Sequence, residues 1–458
     1  MRVIEAHRST ALAALACGAL AGCTLVTDSF RTNEFSGDPF PIHVGTESGA
    51  VMIGVREPDG PQLDAVLDVL SPVTITDPGV ERPKSLTTSD LILLGRGEPA
   101  AAAFEVPRAR LRAAEVISLH PCEVDEPLCA VGRPGATQPY GAIIGANVLA
   151  GDALRLRLSD QQAFLLADVG GDDRDRTFVC DSVFPSPYRG GGTLIIANTE
   201  VPFGGRRITL QACLGADLDP DPVPAPDPDP EPNTQGPLVQ SARGGDALLV
   251  MSTGIGISLL GKTAYQRYRQ SLLLRQQYSR RIPPPPPPPP PLEALPDGSA
   301  YLPSGLVFGK LGTIDRIALA AASSSSPRAP CRQAYAHRLL TEHKRCQPGD
   351  DCPCADGKEF CSVPAVVELQ PTSGLQVLVV SDDNPTLQAL RAELRPDQPE
   401  VDGILGADAL RLAEVDIDYP HNRLLTRCTS PEPACVARPA LASEDDLTQV
   451  RQCLGLEP

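Results

Sequence analysis

At 458 residues the chain is long enough for two or three domains, and an apolar share of 42% permits sizeable cores. Its net charge of −17 excludes nucleic acid as a partner, since that demands Lys/Arg stripes; the acidic balance reads as a solvated surface. No run reaches the roughly 18 apolar residues of a membrane-spanning helix.

The N-terminus reads as a targeting segment, with residues 1–22 a signal peptide. Arg2 and Arg8 precede a short apolar run, Thr10 to Ala21, which ends in Leu20-Ala21-Gly22-Cys23. That tetrapeptide resembles a bacterial lipobox. The resemblance implies cleavage before Cys23 and diacylation of its thiol; an ordinary signal peptide with an incidental Cys is the other reading. Each buried CH₂ of an acyl chain contributes about 0.8 kcal/mol to anchoring. Residues 23–45 are then expected to be the lipidated Cys23 and a flexible tether. The expected location is the cell envelope. Thr24, in place of the Asp linked to inner-membrane retention in enteric bacteria, favours the outer membrane.

Two stretches then repeat a pattern. Ala50 to Val55 and Ala65 to Leu70 predict a hairpin around Pro58-Asp59-Gly60, leading into Asp68-Val69-Leu70-Ser71. Far downstream, Ala247 to Met251 runs into Ser252-Thr253-Gly254, and a second apolar run follows, Ile255 to Leu260. Short apolar runs around a tight loop read as buried strands. Each loop has a later echo. Tyr140-Gly141-Ala142-Ile143-Ile144-Gly145 parallels Val401-Asp402-Gly403-Ile404-Leu405-Gly406, and each leads to an alternating strand, Leu154 to Leu158 and Val415 to Tyr419.

Between the repeats the chain is punctuated. Thr193 to Asn198 and Arg206 to Cys213 predict a hairpin across Pro202-Phe203-Gly204-Gly205, opening the second lobe. Residues 215–236 contain an Asp-Pro, Glu-Pro tract that cannot bury enough apolar surface to order itself. Tyr265 to Arg281 predicts a helix. Nine prolines, 283–291, predict a stiff polyproline II insertion exposed to solvent.

Cysteine usage sets the compartment. Of 14 cysteines, Cys17 leaves with the signal and Cys23 carries lipid, so 12 remain, an even set behind a secretory signal. Cys122–Cys129 and Cys428–Cys435 each close a short loop, and Cys180–Cys213 is the next candidate pair. His337, His343, Cys346, Cys352, Cys354 and Cys361 are dense enough to raise zinc. The single residue between Cys352 and Cys354 falls short of the usual two to four, so residues 331–361 read as a disulfide-stapled insertion and no metal is expected. No Walker-type loop is present and Gly-x-Gly runs lack a strand–helix context, so no cofactor is expected.

The two loops and their echoes resemble the pepsin and retropepsin-like aspartic proteases, over about residues 46 to 428. In that family an apolar strand enters Asp-Thr-Gly, and a hydrophobic-hydrophobic-Gly element packs through the loop; Ile143-Ile144-Gly145 and Ile404-Leu405-Gly406 fill that place. The resemblance implies a mainly β protein: two β-barrel lobes about a central cleft, residues 46–189 and 190–458, with few short helices and long Pro-rich insertions. It implies a flap over the cleft somewhere between Leu91 and Leu119. It makes Asp68 one half of a catalytic pair and puts Ser252 where the second Asp belongs. It assigns Ser71, Thr253 and Gly254 to holding the loops together, while Val69 departs from the pattern.

The departure at Ser252 decides the functional reading. Two carboxylates in contact share one proton, so one serves as base while the other polarises a carbonyl. A hydroxyl titrates far above neutrality and takes neither role. Ser252 as a nucleophile fares worse, without a Gly-x-Ser-x-Gly setting or a placed His. The expectation is an inactive, aspartic-protease-like lipoprotein, monomeric, that binds peptides or proteins in its cleft. One alternative is an active peptidase in which Asp246 or Asp402 completes the pair. Another is a structural surface lipoprotein with no working cleft. Asp68 also has a plain reading as an acidic turn residue.

Overall fold

The computed structural model describes residues 34–35, 39–45, 48–58, 60, 62–76, 85–95, 107–118, 141–149, 151–166, 182–186, 191–196, 199–215, 245–278, 289–302, 305–320, 330–331, 366–393, 400–431 and 434–438. The described chain is mainly β, as its alternating and continuous apolar runs predict. The stretch read as a signal segment, Cys23, the acidic Pro-rich tract beyond Gly215, most of the polyproline run and the Cys-rich stretch beyond Cys331 lie outside the described residues.

In the first half, Val51–Arg56 pairs antiparallel with Gln62–Leu67, which pairs parallel with Ala142–Ile144. That strand lies antiparallel to Thr74–Thr76, which runs parallel to Pro107–Ser118. Ser85–Leu94 pairs with both Pro107–Ser118 and Val51–Arg56, closing the ring. A closed ring leaves no free sheet edge among these strands.

The second half repeats the same succession. Thr209–Leu214 pairs antiparallel with Asp246–Met251, which pairs parallel with Gly403–Leu405. Ser258–Gly261 lies antiparallel to Gly403–Leu405 and parallel to Leu375–Val380. Leu375–Val380 continues to Gly305–Ile314, and Thr209–Leu214 to Ile317–Ala320. Only Asp315 and Arg316 separate those two outer strands, so this sheet also curls back on itself. Ser258–Gly261 is buried along its length and Asp246–Met251 at all but its first residue. That burial explains the apolar runs Leu259-Leu260 and Ala247 to Met251: strands covered on both faces cannot alternate.

A six-stranded antiparallel sheet joins the halves. Its order is Ser182–Pro185, Arg423–Cys428, Ala413–Asp418, Ala153–Arg157, Gln162–Leu166 and Phe40–Pro41. At its centre Leu154 faces Ile417 and Arg155 faces Asp416 across the junction. The Arg155 guanidinium grips Asp416 with both arms, at 2.7 and 2.8 Å, and Arg157 meets Glu414 at 2.7 Å. One continuous core runs through the junction and holds Leu67, Met251, Leu154 and Ile417 together.

Several expectations are corrected. The stretch read as a tether is woven into the fold at its end: Glu34–Phe35 pairs with Ala109 and Arg110, and His43–Val44 with Val51 and Met52. Phe40 and Ile42 are buried, which supplies the driving force. The hairpin read across Pro202 to Gly205 is instead Gly192–Ile196 with Thr199–Phe203, and Thr209–Leu214 is free to take a central place in the large sheet. A tight local connection wins the first pairing; the more apolar strand finds the larger core. Ile255 to Ile257 belong to the loop, with the strand beginning at Ser258. The helix spans Lys262–Tyr278 and buries Tyr265 and Tyr268. The last prolines dock on it: Tyr265 donates to Pro290 O at 3.1 Å and Arg269 to Pro289 O at 3.0 Å.

Cys428–Cys435 forms as read, but Cys213 bonds Cys331 rather than Cys180. The reason is local: Cys213 lies opposite Asp246, and the Asp246 carboxylate accepts the Cys331 N–H at 2.8 Å, docking that turn beside it. Cys122, Cys129 and Cys180 lie outside the described residues.

The central ion pair makes a direct prediction. Arg155→Met deprives the buried Asp416 carboxylate of its bidentate partner and is expected to cost about 3–5 kcal/mol, whereas adding Asp416→Leu recovers most of it. Urea unfolding of the single and double variants checks this.

Candidate functional site

The two repeated loops meet where the halves meet. Their backbone contacts match pairwise. Asp68 N–H donates to Ile144 O at 3.0 Å, and Ser252 N–H to Leu405 O at 2.9 Å. Ala146 N–H donates to Ser71 O, and Ala407 N–H to Ile255 O, both at 2.8 Å. Gly145 N–H donates to the Thr74 hydroxyl and Gly406 N–H to the Ser258 hydroxyl, both at 3.0 Å. Gly145 and Gly406 have no room for a side chain: a Cβ would overlap the Val73 carbonyl in one loop and the Gly256 carbonyl in the other. The structure thus brings together Asp68, Ser71, Ile144 and Gly145 in one half with Ser252, Thr253, Gly254, Leu405 and Gly406 in the other.

Thr253 stitches the loops. Its hydroxyl donates to Leu67 O and accepts from the Val69 N–H at 3.1 Å. The reciprocal bridge is missing because Val69 has no hydroxyl. Ser71 does not replace it; its hydroxyl donates to Val73 O within its own loop.

Asp68 faces Ser252. The Ser252 hydroxyl donates to Asp68 Oδ1 at 2.9 Å, and the same oxygen accepts the N–H groups of Gly254 at 3.1 Å and Leu70 at 3.0 Å. Asp68 is 2% exposed and Ser252 fully buried. Burial raises the Asp68 pKa; the Leu70 N–H, the Ser252 hydroxyl, the Gly254 N–H and the Arg207 charge work against that rise without cancelling it. The result is one carboxyl biased toward its neutral form beside one neutral hydroxyl.

Asp246 and Asp402 are placed elsewhere. Asp246 starts the strand that ends at Met251, six residues at about 3.3 Å each from the loop. Asp402 accepts from Leu248 N–H at 3.0 Å and pairs with Arg267 at 2.6 Å. Among the described residues no second carboxylate hydrogen-bonds Asp68. No group of three or more His, Cys, Asp or Glu among them could hold a metal.

Two contributors were missed in sequence. Tyr419, at the end of the second alternating strand, is buried within electrostatic reach of Asp68, and its hydroxyl finds no partner among the described residues. Burial first, then the Asp68 charge, pushes its phenol above the ordinary range. Arg207 donates to Leu70 O and pairs with Glu393, bracing the Asp68 loop from behind. Tyr419 occupies the repeat position of Leu158, a signal available in the aligned strands; nothing in the sequence marks Arg207.

No protein-family model matches this chain, and no curated protein is significantly similar to it.

Two variants test the site. Asp68 has a folded pKa above its unfolded one, so its stabilising effect is full below the ordinary carboxylate range and is lost as pH rises through the raised value. Asp68→Asn, neutral at every pH, is therefore expected to gain stability relative to the parent as pH rises from about 4 to 8. Thermal midpoints across that range check it, and a gap that widens the other way contradicts it. Thr253→Val strands the buried Val69 N–H and is expected to cost about 1–3 kcal/mol in chemical unfolding.

Proposed function

We propose that this chain is an envelope-anchored lipoprotein that carries an aspartic-protease-like frame without peptidase activity and acts as a peptide-binding or interaction module. The observation that carries the reading is the contact between Asp68 Oδ1 and the Ser252 hydroxyl at 2.9 Å, at matched positions of two matched loops. The frame supplies the geometry in which two carboxylates would share a proton. A serine there leaves Asp68 without a partner of comparable acidity, so the division into base and acid is lost. The anchor rests on Leu20-Ala21-Gly22-Cys23. No helix among the described residues is long and apolar enough to cross a membrane. Lipid on Cys23 is the proposed attachment, with the outer membrane as its proposed place.

A second reading has one observation in its favour. The near-complete burial of Asp68 and Ser252 suits a purely structural hydrogen bond in a surface lipoprotein with no working cleft.

The test is proteolysis of a mixed peptide library by the full-length oxidised chain from about pH 2 to 7, where a carboxylate pair titrates. The expected result is no cleavage at any pH. Cleavage that Asp68→Ala abolishes would sink the pseudopeptidase reading and require a second acid.

A further inference from the structure

The match between the halves breaks on one flank. The Asp68 and Ser252 loops correspond residue for residue, so Gly49 corresponds to Arg206 and Leu158 to Tyr419. The turns agree as well: Gln161 and Asn422 share a positive φ, of 53° and 52°. On one flank Tyr419 is buried and Arg206 reaches across to Asn147 O at 2.9 Å, filling the niche. On the other, Gly49 and Leu158 leave it open. There a cavity of about 760 Å³ lies among Leu158, Gln161, Ile257, Ser299, Tyr301 and Gln376. That volume is within the range of ligand sites.

One wall of the cavity is an open sheet edge. The strand Asp297–Leu302 is the last in the ten-stranded order and, among the described residues, pairs only with Gly305–Ile314. Leu302 faces Gly305 across a two-residue loop, and Leu311 N–H donates to Pro296 O at 2.8 Å. The even-numbered residues of Asp297–Leu302 therefore make the hydrogen bonds of this hairpin, since such pairs alternate along an antiparallel ladder. Asp297, Ser299 and Tyr301 direct their N–H and C=O groups the other way, to an edge unpaired among the described residues. Phe308, opposite Ser299, is 72% exposed, and Tyr301 is 37% exposed, so aromatic surface flanks the edge. The Asp297 side chain is 89% exposed and pairs with Lys310 at 2.7 Å, in a chain of net charge −17.

We propose that this edge and cavity form a docking site for an extended peptide carrying a basic residue among alternating apolar ones, which adds as a strand beside Asp297–Leu302. Free backbone donors and acceptors at Ser299 and Tyr301 supply the main-chain pairing. Ile257 offers apolar surface to a side chain with the buried Leu158 beneath it, and Gln161 and Gln376 are amides able to bond a peptide group. Asp408 and Arg411 in the lining pair with each other at 3.6 Å, which leaves the exposed Asp297 carboxylate at the start of the strand to attract the cation. This deepens the peptide-binding reading above, on which it rests, but it places the peptide outside the Asp68–Ser252 contact.

The test uses the full-length oxidised chain and a displayed library of octapeptides with alternating apolar and polar residues and one Lys. Selected peptides are then remade with acetylated and amidated ends for calorimetry. Binding is expected to weaken with salt. It is expected to slow hydrogen exchange at Ser299 and Tyr301 in the parent protein. Ser299→Pro removes one outward N–H and no hairpin bond, and Leu158→Tyr refills the niche as Tyr419 does; each is expected to weaken binding about ten-fold. Slowed exchange at Ser299 and Tyr301 supports the site even if a variant fails to fold. The proposal is overturned by a library that yields no binder. It is equally overturned by binding that leaves exchange at both residues unchanged. Binding lost in Ser252→Leu but intact in both edge variants puts the peptide between the loops; that overturns the edge site and leaves the pseudopeptidase reading standing. Asp68-dependent cleavage, by contrast, bears on that reading alone.

Discussion

The Thr253 hydroxyl serves both halves at once. It donates to the carbonyl of Leu67 and accepts from the N–H of Val69, so the strand entering one loop is fixed against the start of the other. A net hydrogen bond contributes only about 0.5–1.5 kcal/mol, but these groups are buried, and leaving them unmade costs more than making them gains. The position of Asp68 follows from this clamp. With Val69 held, the Leu70 N–H turns back onto Asp68 Oδ1, and Gly254 N–H arrives from the other loop. The Ser252 hydroxyl is aimed at the same oxygen.

The loops and their echoes were legible because their signals are short-range. Apolar runs broken by Asp68 or by Ser252-Thr253-Gly254 mark strand, turn and strand within a dozen residues. Gly145 and Gly406 follow from the steric demand of one backbone passing another. The parallel pairing of Ala65 with Ala142 and of Leu249 with Gly403 was not legible, since it joins segments far apart in sequence. The Cys213–Cys331 bond is of the same kind. An even cysteine count implies bridges but not partners, and the partner was chosen by Asp246 and the strand beside it. The tether failed for another reason. Polar sequence masked two apolar residues, Phe40 and Ile42, that the core takes in.

The matched architecture also shows where the halves have parted. Backbone contacts of the two loops agree within 0.1 Å for three pairs of bonds, while side chains at the matched sites differ freely. Leu158 opposite Tyr419 and Gly49 opposite Arg206 are changes of bulk on a repeated backbone frame. Leu158 and Tyr419 both belong to the continuous core, so that exchange trades one apolar body for a larger one while the ladders stay matched.

Arg155 and Asp416 stand 261 residues apart in sequence yet lie on neighbouring strands. Loop closure grows only as the logarithm of length, so this separation costs little equilibrium stability. Its cost is in time. Ala153–Arg157 is made with one neighbour close behind it, Gln162–Leu166, and its other edge stays bare until Ala413–Asp418 follows. Topologies dominated by such distant pairings fold slowly and expose unpaired strands meanwhile. The junction that unites the two halves therefore forms only after the segment carrying Asp416 has been made, 261 residues behind its partner.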